Sequence, residues 1–564
     1  MKLSVSSIKL WVTAAILLTG WELHAQNQAA QSYKNGLVVC AYPDAAQAGL
    51  SILKKGGNAV DAAVAVQFAL AVTLPEAGNI GGGGFMVYRS AKGQAATLDF
   101  REKAPGAAST NMYLDASGNI IPGKSLYTHQ AVGVPGSVDG MVEAHRKYGK
   151  LPWTALVQPA IDLARKGFVI TQHLADDLNY NQAEFKKLNP GKSYFLKAAP
   201  WKAGDILVQE DLSKTLTLIR DKGRDGFYKG GVANQLIAEM HSADGLISQA
   251  DLDNYHSVWR KPVTGKYKQY EIITMPPPSS GGIALLQLLH SVEKYPLSRW
   301  GHNSDSTVRL MVEAERRVYA DRSKYLGDPD FYKVPVDSLL NPRYIDTRMQ
   351  SFSWAAATPS SSIQPGTFAG YESDQTTHYC VVDREGNAVS ITTTLNGSFG
   401  AKIFVKGAGF LLNNEMDDFS SKPGTPNMYG LVGGKANSIQ PGKRMLSSMT
   451  PTILEKDGKL FMVVGTPGGS TIITSVFQTI LNVLEFGQDA QQAVASKRFH
   501  HQWLPDIIST EKDAFSSSTS AKVTEKGYFL KEGGSIGRVE AIVNTPKGYT
   551  GGADPRGDDT KTGW

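Results

Sequence analysis

Gln375-Thr376-Thr377-His378-Tyr379 decides the architecture, because this stretch joins two chemically different parts of the chain. Residues 351–375, which end there, are dominated by Ser, Ala, Pro and Gly, and this composition predicts a linker that buries little apolar surface. Residues 378–382 and 388–395, which follow, predict the two strands of a β-hairpin around the turn Gly386-Asn387. A linker therefore ends at a threonine that opens a strand.

A threonine in this position can act as a nucleophile if the chain is cut before it. The α-amino group of an N-terminal threonine has an ordinary pKa of about 7.7–8.0 and can serve as the base for the neighbouring hydroxyl. Cleavage between Gln375 and Thr376 would create that group. Ser/Thr-rich linkers before strands are common, so the hypothesis depends on support from other parts of the chain.

One such feature is a glycine turn between a strand and a helix. Residues 459–464 predict a strand, Gly468-Gly469 lies in the turn, and residues 471–486 predict a helix with apolar residues at helical spacing. Backbone N–H groups at a helix N-terminus can stabilise a developing oxyanion. An ordinary strand-to-helix turn is the alternative.

Charged residues supply a second feature. Arg101 follows the predicted strand 95–100, and an arginine binds carboxylates bidentately. Glu415, Asp417 and Asp418 follow an apolar strand end and could bind an ammonium group or a cation. A surface ion pair for Arg101 and a solvated acidic loop remain open as alternatives, whereas EF-hand spacing is absent.

Three other patterns have simpler interpretations. His500 and His501 are adjacent and lack an HExxH motif, so we predict no metal site there. The run Gly81 to Gly84 lacks the residues of a phosphate loop and predicts a tight turn with close backbone packing. Cys40 and Cys380 could pair in an exported protein, but two buried free thiols are the favoured prediction.

The composition and the N-terminus predict a globular, exported protein. The 564 residues are 41% hydrophobic and 20% charged, with a net charge of +6 and no long basic block, which argues against nucleic-acid binding. Residues 1–25 contain Lys2 and Lys9, an apolar run at 10–18 and a terminal Ala25, and they predict a cleaved signal peptide. We expect a periplasmic protein, with an extracellular location as the alternative.

In combination these motifs resemble the γ-glutamyltranspeptidase family, whose members are also called glutathione hydrolases. The resemblance covers nearly the whole mature chain. The matching segments are Asp99-Phe100-Arg101-Glu102, Pro277-Pro278-Ser279-Ser280-Gly281-Gly282, Thr376-Thr377-His378-Tyr379, Leu412-Asn413-Asn414-Glu415-Met416-Asp417-Asp418-Phe419, Leu446-Ser447-Ser448-Met449 and Pro467-Gly468-Gly469.

The resemblance implies an N-terminal-nucleophile hydrolase of the α+β class, a four-layer αββα sandwich made of two chains from one precursor. Self-cleavage between Gln375 and Thr376 would give a large subunit of residues 26–375 and a small catalytic subunit of residues 376–564, which remain together as a heterodimer. No metal or organic cofactor is implied.

The resemblance also implies roles for individual residues. Thr376 is the expected nucleophile, with its freed amine as general base, and Thr394 is expected to position the hydroxyl. Gly468 and Gly469 are expected to form the oxyanion hole. The expected binding residues are Arg101, Ser447 and Ser448 for the glutamyl α-carboxylate, Asn396, Glu415 and Asp418 for the α-amino group, and Tyr429 in a lid spanning residues 422–434.

The implied reaction breaks the γ-glutamyl amide of glutathione through a γ-glutamyl ester on Thr376 and passes the glutamyl group to water, amino acids or dipeptides. A cephalosporin (glutaryl) acylase or a poly-γ-glutamate-processing enzyme is the alternative within the same fold. An unprocessed, non-catalytic binding protein and a metallohydrolase using His500 and His501 are alternatives of other classes.

Overall fold

The computed structural model of this protein describes residues 31–191, 193–363, 376–422 and 434–564. The predicted signal peptide, Gln375 and Tyr429 lie outside these ranges. Within them, none of the helices is both long enough and apolar enough to span a bilayer.

Regular elements occur throughout the described ranges. The strands are β1 Ser32–Tyr33, β2 Gly36–Cys40, β3 Gly83–Arg89, β4 Ala95–Asp99, β5 Phe168–Val169, β6 Ile206–Leu207, β7 Val258–Arg260, β8 Val263–Tyr267, β9 Tyr270–Thr274, β10 Thr376–Asp383, β11 Ala388–Thr394, β12 Thr452–Lys456, β13 Lys459–Gly465, β14 Phe499–His500, β15 Ile508–Glu511, β16 Leu530–Gly533, β17 Glu540–Thr545, β18 Gly548–Gly552 and β19 Thr560–Gly563. The helices are α1 Pro43–Lys54, α2 Ala59–Thr73, α3 Ser137–Tyr148, α4 Trp153–Lys166, α5 Gln172–Tyr180, α6 Gln182–Leu188, α7 Glu210–Lys222, α8 Asp225–Tyr228, α9 Gly230–His241, α10 Gln249–Asp253, α11 Gly281–Glu293, α12 Leu297–Trp300, α13 Asp305–Tyr325, α14 Val336–Leu339, α15 Pro342–Met349, α16 Thr471–Leu484, α17 Ala490–Ala495 and α18 Ser517–Glu525.

Two seven-stranded antiparallel sheets form the centre of the molecule. The first sheet has the order β19-β2-β10-β11-β3-β4-β7, and the second has the order β1-β18-β17-β13-β12-β9-β8. The predicted hairpin is confirmed as β10 and β11, which occupy the middle of the first sheet between β2 and β3.

Strand β10 points apolar side chains to both faces of the first sheet, so both faces are covered by other elements. Tyr379 and Val381 pack into the core that α1 and α2 share with the first sheet. Cys380 and Val382 point to the opposite face. They pack into a second core, to which both sheets and the helices α11, α13 and α16 contribute. The predicted four-layer αββα sandwich is confirmed.

The same alternation keeps the two cysteines apart. Cys40 lies opposite Tyr379 in the pairing of β2 with β10, whereas Cys380 lies opposite Val39, so the two sulfurs belong to different faces of the sheet. Both are buried free thiols, as predicted. Burial raises the pKa of the Cys40 thiol to about 12.

Most local patterns are confirmed by the structure. Helix α2 begins at an Asn58 cap, whose side chain accepts a 3.0 Å hydrogen bond from the Asp61 amide. In the glycine run, a Cβ atom on Gly82 would lie 2.0 Å from the carbonyl oxygen of Thr394. The predicted close backbone packing is therefore present, and it holds the end of β11.

Residues 351–363 are mostly exposed, as the linker prediction requires, but two of them are held in place by the rest of the fold. Ser360 and Ile363 are buried. The indole of Trp503 donates a 2.8 Å hydrogen bond to the Ser360 carbonyl oxygen, and Asp506 accepts a 2.7 Å bond from the Ser360 amide. Distant residues anchor this segment, and its own composition contains no sign of them.

Candidate active site

The open end of the β10–β11 hairpin places two threonines side by side. Thr376 pairs in register with Thr394, and its hydroxyl donates to the Thr394 hydroxyl over 3.4 Å. The Thr394 oxygen also accepts a 2.8 Å bond from the Asn396 amide. Because Asn396 adopts a left-handed backbone with φ of 71°, the chain turns sharply here and its amide points back at Thr394.

A narrow cleft brings together the predicted site. It contains every predicted catalytic and substrate-binding residue of the described ranges except Gly468, together with two apolar residues. The lining residues are Arg101, Thr376, Thr394, Asn396, Glu415, Asp418, Ser447, Ser448, Met449, Gly469 and Ile472.

Opposite charges meet at one side of this cleft. The buried guanidinium of Arg101 contacts the carboxylate of Glu415, and its Nη2 lies 2.5 Å from Oδ2 of Asp418. The side chains of Glu415 and Asp418 are also buried, at 1% and 6% exposure. The surface ion pair and the solvated loop considered for these residues are therefore both wrong, and the cleft can contact both signs of charge on a ligand.

Glu102 is a further acidic neighbour, and the sequence alone did not identify it. Its Oε2 lies 3.5 Å from Nη1 of Arg101, and its side chain is fully buried. Burial outweighs the attraction of Arg101 and raises the pKa of the Glu102 carboxyl to about 7. The residue stands beside Arg101 in the chain, but its burial arises from the tertiary fold.

The acidic residues lie on a 3₁₀ turn, Glu415–Asp418, that Asn413 fixes. The amide nitrogen of the Asn413 side chain donates 2.8 Å bonds to the carbonyl oxygens of Gly81 and Gly133, and its oxygen accepts a 3.0 Å bond from the Glu415 amide. Because Asn413 and its three partners are buried, this network holds the carboxylates in one orientation.

A buried arginine supports the two predicted serines. Arg322, on α13, donates 2.8 Å bonds to Oγ of Ser448 and to Oγ of Ser280. The Ser447 carbonyl oxygen accepts 2.7 Å bonds from both the amide and the hydroxyl of Ser280. Arg322 was not identified from the sequence, because no local motif surrounds it and only the fold brings it to the serines.

The glycine turn has the backbone geometry that an oxyanion site needs. Gly468 and Gly469 have φ angles of 132° and 54°, which favour glycine, and α16 begins two residues later at Thr471. Among the described residues, neither glycine amide donates to a protein acceptor. Gly469 lines the same cleft as Thr376, so this turn can supply hydrogen-bond donors to a reacting carbonyl.

The two adjacent histidines do not form a metal site. The ring of His500 is hydrogen-bonded to the Thr474 hydroxyl and to the Gln502 side chain, each at 2.8 Å. Nδ1 of His501 accepts a 3.1 Å bond from the Trp503 amide. Burial lowers the pKa of both imidazoles to about 4. The metallohydrolase alternative therefore has no metal site at His500 and His501.

Comparisons with known proteins agree with this geometry. The chain matches the family described as γ-glutamyltranspeptidase over residues 45–564. It is 49% identical to the glutathione hydrolase proenzyme of Escherichia coli K12 over 532 residues, which cover 94% of this chain and 92% of the relative.

Solved structures are similar as well. The cephalosporin acylase from Bacillus halodurans has a TM-score of 0.84 at 27% identity, covering 96% of this chain and 97% of its own. A chain of the Helicobacter pylori γ-glutamyltranspeptidase has a TM-score of 0.57 at 44% identity, covering 60% of this chain and 97% of its own. The fold is that of the N-terminal-nucleophile hydrolases, and this protein belongs to the γ-glutamyltranspeptidase family.

Proposed function

We propose that this protein is a γ-glutamyltransferase and glutathione hydrolase that becomes active by cutting its own chain before Thr376. The observation that carries the proposal is the placement of the Thr376 hydroxyl, 3.4 Å from Thr394, in the same cleft as Arg101, Glu415 and Asp418. This arrangement puts a nucleophile next to groups that bind an amino acid through both of its charges.

Cleavage would yield a large chain, residues 26–375, and a small chain, residues 376–564. The E. coli relative is named a proenzyme, and the solved H. pylori chain covers only 60% of this chain although 97% of it is matched. The two pieces would remain associated because β10 and β11 of the small chain pair with β2 and β3 of the large chain. We also propose that the protein is exported.

The proposed reaction starts at the freed amine of Thr376, which takes the proton of its own hydroxyl. The oxygen attacks the γ-carbonyl carbon, and the amides of Gly468 and Gly469 stabilise the oxyanion. Collapse breaks the C–N bond, and the leaving amine takes up the proton. The remaining γ-glutamyl ester is opened by water, giving glutamate, or by the amine of an amino acid or dipeptide, giving a new amide.

Recognition of the γ-glutamyl group would divide between two sets of residues. Arg101, with Ser447 and Ser448, would bind the α-carboxylate, since a guanidinium matches a carboxylate in geometry and charge. The α-ammonium group would be bound by Asn396, Glu415 and Asp418. A free glutamyl end carries both charges next to each other, as the cleft does.

A cephalosporin acylase activity is the second candidate, favoured by the similarity to the B. halodurans enzyme. A glutaryl group has the carboxylate but lacks the ammonium group, so it would leave Glu415 and Asp418 without a cationic ligand. Comparing kcat/KM for γ-glutamyl-p-nitroanilide and glutaryl-p-nitroanilide separates the candidates, because these substrates differ only in the α-amino group. We expect a preference for the γ-glutamyl compound, and a preference for the glutaryl compound would favour the acylase.

Self-cleavage is tested by electrophoresis of the purified protein. Wild-type chain should give two bands of about 38 and about 20 kDa, in proportion to the subunit lengths, and Thr376→Ala should give one. Thr377→Ala is the matched control, because the buried Thr377 hydroxyl has no hydrogen-bond partner among the described residues. A fully active, uncleaved chain would contradict the proposal.

A further inference from the structure

A second group of ionisable side chains lies outside the catalytic cleft. Glu76 follows α2, and His173 and Asp177 lie one turn apart on α5, on the same face of that helix. One donor atom from each of the three residues lies within 4.8 Å of the donor atoms of the other two. Two elements distant in sequence thus bring an imidazole and two carboxylates together.

Glu76 is the unusual member of this group. Its side chain is buried, with 2% of the residue exposed, and neither carboxylate oxygen has a hydrogen-bond partner among the described residues. Burying a carboxylate without a partner is unfavourable. Because its oxygen faces His173 and Asp177, a cation placed between the three side chains would supply the missing partner.

The surrounding charges favour a cation at this point. The neighbouring positive group is Arg538, whose Nη2 lies 2.9 Å from the carboxylate of Asp559. Asp558 also acts electrostatically on both Glu76 and Asp177. Asp177, Asp558 and Asp559 outnumber the arginine, so the local charge remains negative after Arg538 is paired.

We propose that Glu76, His173 and Asp177 bind a divalent transition-metal ion of the Zn²⁺ type, with water completing the coordination. Nε2 of His173 lies 3.8 Å from Oδ2 of Asp177. Two metal bonds of about 2.1 Å at a tetrahedral angle separate their donors by about 3.4 Å, so this pair would close by a few tenths of an ångström. The donor atom of Glu76, which lies within 4.8 Å of the other two, would move closer by at most about 1.4 Å. One nitrogen and two oxygens favour Zn²⁺ over Mg²⁺ or Ca²⁺, which prefer oxygen ligands alone.

The two helix residues leave a path for the ion. The side chains of His173 and Asp177 are 41% and 33% exposed, whereas Glu76 closes the inner side of the site. Solvent therefore reaches the outer coordination positions, and the buried carboxylate supplies the ligand that a surface His-Asp pair would lack.

The metal would stabilise a loop that supports the catalytic strand. The backbone oxygen of Glu76 accepts a 2.9 Å bond from the Phe399 amide. Three residues further along the same loop, the Asn79 side chain donates a 2.9 Å bond to the Thr394 carbonyl oxygen. Binding would fix this loop from outside the cleft, without contact to the reacting atoms.

The test uses the mature, two-chain protein stripped with EDTA and then dialysed. Titration with ZnCl₂ in a calorimeter should show one site per molecule, and the melting temperature should rise with Zn²⁺ until the site is full. Mg²⁺ and Ca²⁺ at the same concentrations should bind at least about tenfold more weakly. Their binding as tightly as Zn²⁺ would overturn the proposal.

Variants locate the bound ion. His173→Ala and Glu76→Gln should each weaken Zn²⁺ binding about tenfold or more and abolish the melting shift. His173→Ala is the decisive variant because its partly exposed position tolerates truncation, so the test does not depend on whether the buried Glu76→Gln variant folds. His241→Ala, at the exposed end of α9, is the matched control and should bind as wild type does.

Two further results overturn the proposal: absence of Zn²⁺ binding to wild-type protein, and unchanged binding by His173→Ala, which would place the ion elsewhere. The catalytic proposal is tested separately. Metal-free His173→Ala should hydrolyse glutathione as wild type does, since the residue does not line the cleft. The unprocessed Thr376→Ala protein should still bind Zn²⁺ at this site.

Discussion

Replacing Asp418 with asparagine removes a charge from the cleft while preserving the size of the side chain. Oδ2 of Asp418 lies 2.5 Å from Nη2 of Arg101, and the side chain is 6% exposed. If Asp418 binds the substrate ammonium group, Asp418→Asn should weaken binding of every substrate that carries this group. A substrate without an α-amino group should be unaffected or should bind better, because Arg101 then has one fewer competing carboxylate.

The burial of the site sets the size of the effect. A hydrogen bond to a charged group contributes about 1.5–3 kcal/mol, and losing one partner of a buried charge pair costs about 2–5 kcal/mol. We expect a loss of about 2–4 kcal/mol for Asp418→Asn, because Glu415 remains to bind part of the ammonium charge. This corresponds to a fall of about 30- to 900-fold in kcat/KM, since each 1.36 kcal/mol is a factor of ten.

Steady-state kinetics with the two p-nitroanilides measure this effect, since both release the same chromophore. For γ-glutamyl-p-nitroanilide the loss should be visible mainly in KM, because the ammonium group is bound in both the ground state and the transition state. For glutaryl-p-nitroanilide kcat/KM should change by less than about threefold, within the range of a neutral substitution. The substrate preference should therefore fall by the full factor.

Asp417→Asn is the matched control, because its carboxylate belongs to the same turn but accepts a 2.5 Å bond from Ser125. This variant should retain the preference for the γ-glutamyl substrate. An equal fall of kcat/KM for both substrates in Asp418→Asn would refute the reasoning, since the residue would then act on folding or on the nucleophile. An unchanged preference of Asp418→Asn for the γ-glutamyl substrate would also refute the reasoning.

Three further changes test other parts of the structure. Gly82→Ala would place its Cβ 2.0 Å from the Thr394 carbonyl oxygen, so the melting temperature should fall by several degrees, corresponding to a loss of about 3 kcal/mol; an unchanged melting temperature would contradict the close packing. Arg322→Lys retains the charge but loses the planar fork that reaches Ser448, so KM for glutathione should rise about tenfold while kcat changes by less than about twofold; a selective loss of kcat would contradict a positioning role. The Glu102 carboxyl keeps its proton up to about pH 7 in the folded protein but loses it near pH 4.5 in the unfolded chain. The free energy of unfolding should therefore fall by about 3 kcal/mol as the pH rises from 4.5 to 7. Melting curves of Glu102→Gln should lack this contribution, and identical pH profiles for the two proteins would count against it.

Local sequence patterns were sufficient for the hairpin and for the helix after the glycine turn. The Gly386-Asn387 turn and the alternation on either side of it are short-range signals, and β10 and β11 follow them closely. Asn58 likewise marks the start of α2 through its own side chain. Elements that depend on residues close together in the chain could therefore be predicted from the sequence.

The remaining features depend on residues that are far apart in the chain. Spacing alone favoured a surface ion pair for Arg101, but its two acidic partners come from a turn more than 300 positions away. Arg322 and Ser360 acquire their roles from contacts with segments 126 and 143 positions away. Burial and pairing of charges are properties of the assembled sandwich, so no local pattern contains them.

The central position of the β10–β11 hairpin would make the proposed cleavage before Thr376 a one-way event. In the precursor, the hairpin and its neighbours β2 and β3 belong to one polymer, so they meet at a high effective concentration during folding. After the cut, a denatured molecule consists of two polymers that must find each other by diffusion and then insert one into the middle of the other's sheet. Thermal inactivation of the processed protein should therefore be irreversible at dilutions from which uncleaved Thr376→Ala recovers its fold. The order of events is fixed, because the chain has to fold before it is cut.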